Sequence, residues 1–189
     1  LLEAIEITSL IKSSNETQGI VFLEKRKANG TEYFSEVLNA IKNLTALEIT
    51  YQNFLNFNRE SSVRKIYPIA IKESKNRWYL IAKDHKDDVV KSFSLDRISK
   101  LVVLKDSVFS KINYDVEKEY QHVFGILKGK ENIETVRISC SESQFRYLET
   151  LPLHESQKFE QQQDDKFIIS LKLIPTYDFV MEILAMGKE

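Results

Sequence analysis

From Leu47 to Leu104 apolar and polar residues alternate with a period of two, and polar turns cut that stretch into short runs. Leu47, Ile49 and Tyr51 share one face of a first run. Ile66 to Ile71 is a second, in which Pro68 marks a strand start, bulge or edge. Lys72 to Asn76 is a polar turn, Trp78 to Lys83 a third strand, and Lys86-Asp87-Asp88 leads into a fourth, Val89 to Leu95. Asp96 to Ser99 reads as a single turn before a last short strand, Leu101 to Leu104. Five short strands joined by tight turns predict a small closed β-barrel.

The flanks have a different period. Leu1 to Lys12 reads as an amphipathic helix and Ser13 to Gly19 as a polar break. Thr31 is the expected N-cap of a helix whose Phe34, Val37, Leu38 and Ile41 form one apolar stripe. Beyond the barrel, Asp115 caps a helix expected to reach about Leu127, with Gly129 as a hinge. Glu134 to Ser139 alternates as a strand, and Ser141 with Gln144 forms a capping box for a helix stopped by Pro152. Gln157–Gln162 and Lys166–Ile174 flank an Asp164-Asp165 turn, and Thr176 caps a last helix ended by Gly187. The order β-α-β-β-α is a split βαβ, or ferredoxin-like, unit short of one strand, which predicts an open sheet edge. The expected organisation is a helical linker or dimerisation region over 1–45, a barrel over 46–106, a helical connector over 107–132 and the C-terminal unit over 133–189. Because it starts at Leu1, the chain reads as a fragment.

Composition narrows the function. From Ala46 to Lys105 there are twelve Lys or Arg against seven Asp or Glu, while the remainder has fifteen against twenty-one, so a basic barrel sits between acidic flanks. That distribution points to an anionic ligand; solvated Lys on a barrel surface would give the same count. The lone Cys140 excludes an intrachain disulfide and reads as a small buried hydrophobe. His85, His122 and His154 lack zinc-ligand spacing, and His154 and Gln157 read as turn and strand anchors. No apolar run reaches the roughly 20 residues of a membrane span, and Glu3 and Glu6 argue against a signal peptide, so the cytoplasm is the expected location. There is no Gly-rich phosphate loop, no Gly-x-Ser-x-Gly and no His-Glu-x-x-His. Asp87-Asp88 and Asp164-Asp165 fall in hairpin turns. Catalytic residues, metal and cofactor are therefore expected to be absent.

Two runs combine cations and aromatics: Arg77-Trp78-Tyr79-Leu80-Ile81-Ala82-Lys83-Asp84, and Lys91-Ser92-Phe93-Ser94-Leu95-Asp96-Arg97-Ile98. With Tyr51 closing the first strand and Arg64 shortly before Pro68, their order and spacing resemble the WYL domain of bacterial transcription regulators. His154-x-Ser156-Gln157 and Pro175-Thr176-Tyr177-Asp178-Phe179 are similar to the extension that usually follows it. The resemblance runs from about Phe34 to the end. It implies an α+β fold: an SH3- or Sm-like barrel preceded by helices and followed by the truncated ferredoxin-like unit. It also implies that the barrel senses a nucleic-acid-type ligand, such as single-stranded DNA or an oligonucleotide, and so controls promoter binding by a helix-turn-helix. Two departures stand out. Lys91 replaces the family's usual Arg, exchanging a planar fork for a point charge, and no helix-turn-helix fits in Leu1 to Gly30, so promoter contact is expected from a domain upstream.

The candidate ligand-binding residues are Tyr51, Arg64, Tyr79, Lys83, Lys91 and Arg97, with Arg64, Lys91 and Arg97 neutralising phosphates and Tyr79 and Tyr51 offering π-faces to bases. Alternation places Trp78 and Leu80 in the core with Tyr79 and Lys83 on the opposite face. Phe93 and Leu95 are expected in the core. Tyr79 is open between ligand contact and packing, Arg64 and Lys91 between ligand and solvated surface, and Arg97 between ligand and a salt bridge near Asp96. The function that follows is the effector-sensing part of a regulator, acting as a homodimer. Two alternatives remain: a ligand-free dimerisation or assembly module whose cations meet carboxylates, and a direct single-stranded nucleic-acid binder.

Overall fold

The computed structural model describes residues 29–54, 60–129, 132–163 and 166–187. The expected Leu1–Lys12 helix, the Ser13–Gly19 break and the Asp164-Asp165 turn lie outside them. A 3-10 turn over Thr31–Tyr33 and helix α1 (Phe34–Lys42) lead into strands β1 (Thr45–Gln52), β2 (Ser61–Ser74), β3 (Arg77–Asp84) and β4 (Val90–Ser94). A second 3-10 turn, Leu95–Arg97, then precedes β5 (Ile98–Val108). The strands form one antiparallel sheet in the order β4-β3-β2-β1-β5.

The long β2 makes this sheet curl. Its first half pairs with β1 and its second with β3, and the register shifts between Pro68 and Ala70, where proline removes a ladder donor. The two strands are joined by Lys75 and Asn76, both at positive φ (50 and 61°), the twist a two-residue hairpin requires. Wrapped inside are Val37, Leu47, Ile49, Ile66, Leu80, Phe93 and Leu95. The expected closed barrel is corrected in one respect: among the described pairings β4 and β5 remain the two edges of the sheet.

Helix α1 covers the core with Val37 and Ala40, and Phe34 and Ile41 beside them; Leu38, expected in the stripe, faces solvent. Thr31 is not its cap either. The chain enters through Gly30, at φ 86°, where any Cβ would collide with the Leu95 carbonyl. Glycine thus lets the entry segment lie directly on the second 3-10 turn.

The C-terminal unit comprises β6 (Glu134–Cys140), α3 (Glu142–Thr150), β7 (Lys158–Gln163), β8 (Lys166–Leu173) and α4 (Tyr177–Ala185). Its antiparallel sheet has the order β6-β8-β7, and α3 and α4 bury Leu148 and Phe179 in its core with Cys140, Ile169 and Leu171. Ser141 caps α3 by accepting from the Gln144 N–H at 3.2 Å. Thr176 does not cap α4; its hydroxyl donates to the Phe124 carbonyl at 3.4 Å and ties the helix start to the connector. Gln157 anchors its turn as expected, accepting from the Leu153 N–H and donating to the Leu148 carbonyl.

Between the units, the helix expected as far as Leu127 is only α2 (Val116–Tyr120), capped by Asp115. The reason is packing. Val123 and Ile126 join Tyr120 against the barrel, whereas Phe124 turns into the C-terminal core, and one helical stripe cannot serve both sides.

Candidate ligand-binding face of the barrel

Directly opposed residues in an antiparallel pair point to the same side of the sheet. The register therefore sorts the candidates. Tyr51 lies opposite Ser62, Arg64 opposite Ile49, Asp84 opposite Ile66, and Lys91 opposite Ala82. Since Ile49, Ile66 and Ala82 are core, Tyr51, Arg64, Asp84 and Lys91 share the inward face. Tyr51 packs edge-on to Phe93 with centroids 5.2 Å apart, and its hydroxyl accepts from the Ser94 N–H at 3.3 Å.

Asp84 organises this end of the barrel. Its side chain is 1% exposed, and one carboxylate oxygen takes Arg64 at 2.7 Å and Lys91 at 2.9 Å. The other accepts from the Lys86 N–H at 3.0 Å. Burial alone would raise this carboxyl, but the Lys86 amide, Lys91 and Arg64 outweigh it and hold it at about 2. Lys91 also pairs with Asp87. Burial would lower its ammonium pKa, and the two carboxylates reverse that and raise it. Both inward cations are thus engaged internally. Lys83, on the outer face, pairs with Asp88 at 2.7 Å.

Tyr79 also lies outward, between Ser94 and Lys72 on the neighbouring strands. It packs beside Ile81 and Tyr120 where the connector covers the sheet. Burial raises its phenol pKa, against the pull of Arg77. Trp78 packs on the opposite side, edge-on to Phe34 at 5.1 Å, and Leu80 is buried in the core.

Arg97 stands apart. The carboxylate of Asp96 is taken by Arg77 and by the Ser94 hydroxyl. Arg97 forms no ion pair among the described residues. Its guanidinium carbon lies 4.7 Å from the ring centroid of Phe54, a residue 52% exposed, and its Nε is buried with no hydrogen-bond partner among the described residues. A guanidinium in that state has donors to spend and a flat aromatic surface beside it.

The six candidates therefore do not form one pocket. Arg64 and Lys91 meet at Asp84, Tyr51 shares their inward face but packs on Phe93, Tyr79 and Lys83 lie outside, and Arg97 marks the rim. The sequence reading missed two decisive residues. Asp84 carried a usable signal, because it continues the inward series Leu80, Ala82, Asp84. Phe54 carried none, since only the fold brings it to Arg97. Among the described residues no group of His, Cys, Asp and Glu could hold a metal ion, and no helix is long and apolar enough to cross a membrane.

The family model described as "WYL domain" matches residues 32–103, taking in α1 together with most of the first sheet. No curated protein sequence matches the chain. Among solved structures, the chain is similar to proteasome accessory factor B/C (PafBC) of Arthrobacter aurescens, with a TM-score of 0.45 and 15% identity over 89% of this chain. It spans only 26% of that protein's length. The family model thus places a WYL domain over residues 32–103.

Proposed function

We propose that this chain is the effector-sensing part of a bacterial transcription regulator, with the barrel rim around Arg97 taking an anionic nucleic-acid-type ligand. The observation that carries this reading is the contrast at Arg97: a cation without a carboxylate among the described residues, lying on the exposed ring of Phe54. Guanidinium and aromatic ring are the pair that single-strand binders use for phosphate and base. Arg77, half-exposed and shared with Asp96, is placed to add a second cation. Arg64, Lys83 and Lys91 then serve the fold rather than the ligand, because a phosphate would have to displace Asp84, Asp87 or Asp88. In this reading the chain is not an enzyme, works in the cytoplasm as a homodimer, and passes its signal to a DNA-binding domain elsewhere in the protein.

A second reading is favoured by the ion pairs of those same three cations: the barrel is an assembly module with no ligand. Fluorescence polarisation of labelled single-stranded DNA and RNA at two salt concentrations separates the two. Ligand sensing predicts salt-weakened binding that Arg97→Ala and Phe54→Ala each reduce by about 1–3 kcal/mol. Absence of binding at low salt, with both variants folded, would leave the assembly module.

A further inference from the structure

A groove of about 1130 Å³ runs between the end of β2, the connector and the loop at 153–155. It lies away from Arg97 and uses none of the six candidate residues. Its apolar surface includes Tyr120 and Phe124. Lys128, paired with Glu119, lies over Tyr120 at 5.0 Å, and two groove lysines also meet these rings: Lys72 at 5.7 Å from the Tyr120 centroid and Lys75 at 5.5 Å from that of Phe124. The two cations are not equivalent. Lys75 is held by Glu182 at 2.6 Å, whereas Lys72 has no carboxylate partner among the described residues.

His154 adds a second polar group. Its Nδ1 lies 2.8 Å from the Ser156 hydroxyl and 3.2 Å from the Ser156 N–H, which holds the ring in place. Burial lowers the imidazole pKa, and the Lys72 charge lowers it further, against Glu155. The groove therefore combines Lys72 and Lys118, neither with a carboxylate partner among the described residues, with a half-buried imidazole and aromatic surface. It also contains Asp115, Glu117 and Glu155, of which Asp115 is occupied in capping α2. Those carboxylates would repel a polyphosphate strand, but they tolerate a single anionic group placed at Lys72.

We propose that this groove is a second ligand site, for a small ring-bearing molecule with one carboxylate or phosphate monoester, its anion on Lys72 and its ring against Tyr120. Such a molecule would touch β2, the connector and the C-terminal loop together, and so bind where the two units meet. The proposal is independent of the rim reading, because Lys72 and Arg97 are different cations in different places.

The test is an amide NMR titration of the protein with adenosine 5′-monophosphate and with indole-3-acetate, using adenosine and inorganic phosphate as controls. The expected result is saturable shifts at Ser74, Tyr120 and Gly125 for at least one ring-bearing anion. Lys72→Ala should weaken that binding at least about tenfold, and Arg97→Ala should leave it unchanged. Lys72→Gln keeps much of the stem over Tyr120 without the charge and should behave like Lys72→Ala, which guards against a packing defect. The site is refuted by no saturable shift into the millimolar range, by shifts centred on Phe54 and Arg97, or by equal affinity in the Lys72 variants. Equal shifts from inorganic phosphate alone would refute the ring-bearing class.

Discussion

Lys91 and Arg97 lie within one short stretch of sequence and differ completely in circumstance. Lys91 is tied to Asp84 and Asp87 on the inward face of β4. Arg97 meets an aromatic ring and leaves a buried N–H unpaired. The excess of cations in the barrel is therefore an unreliable guide to where a ligand would bind. What matters is which charges the fold has already spent. The inward end is a buried ion cluster, whose loss costs more than its presence contributes. The rim is the reverse: Arg97 has no ion pair among the described residues and lies on the ring of Phe54.

The sharpest way to break this contrast is at Asp84. Asp84→Ala would leave Arg64 and Lys91 without their shared partner and remove the acceptor of the Lys86 N–H. It should destabilise the fold by about 3–5 kcal/mol, read from urea denaturation. Arg97→Ala should change stability by no more than about 0.5 kcal/mol. Similar losses in the two variants would erase the distinction between a spent and a free cation.

Acid unfolding follows the same carboxyl with a smaller effect. Its native pKa of about 2 lies below the ordinary 3.8, so between those values the unfolded chain binds more protons than the folded one. The stabilisation is fully present above 3.8 and is lost as the pH falls from there to about 2, amounting to about 2 kcal/mol. In Asp84→Asn this part of the acid dependence should vanish. If the variant's stability falls over that interval as steeply as the parent's, the titrating group is another one.

Much of this layout was readable from the alternation of side chains alone. Trp78 and Leu80 against Tyr79, and the succession of five strands, need only a period of two and short turns. The ion cluster was not readable, because it depends on register: Arg64, Asp84 and Lys91 come from three strands, and a shift of one residue would point them elsewhere. The short α2 escaped for a related reason. Its continuation looks helical by composition, yet Val123 and Phe124 pack into different cores. Tyr79 stayed open in the sequence because its face is covered by residues of the distant connector. Turn chemistry was more local, as with Asp88 at φ 62° in the β3–β4 connection, and there the sequence reading needed no tertiary information.

The smallest effect is also the one that most finely separates the two lysines of the β3–β4 hairpin. Lys83 and Lys91 each hold an aspartate, but Asp88 is 78% exposed while Asp84 is 1% exposed. Water already satisfies Asp88, so its pairing with Lys83 competes with hydration and with the side-chain entropy of a long ammonium arm. A double-mutant cycle of Lys83→Ala with Asp88→Ala should give a coupling of no more than about 0.5 kcal/mol, fading with added salt. The Lys91 and Asp84 cycle should give a larger coupling that salt moves less, because the Asp84 carboxylate is buried, at 1% exposure. If the rim binds oligonucleotides as proposed, Lys83→Ala should leave their affinity within about twofold, since Lys83 lies on the outer face of β3, paired with an exposed aspartate and apart from the rim around Arg97. A strong, salt-resistant coupling at Lys83 would show that exposure does not rank these cations, and the division between inward end and rim would have to be redrawn.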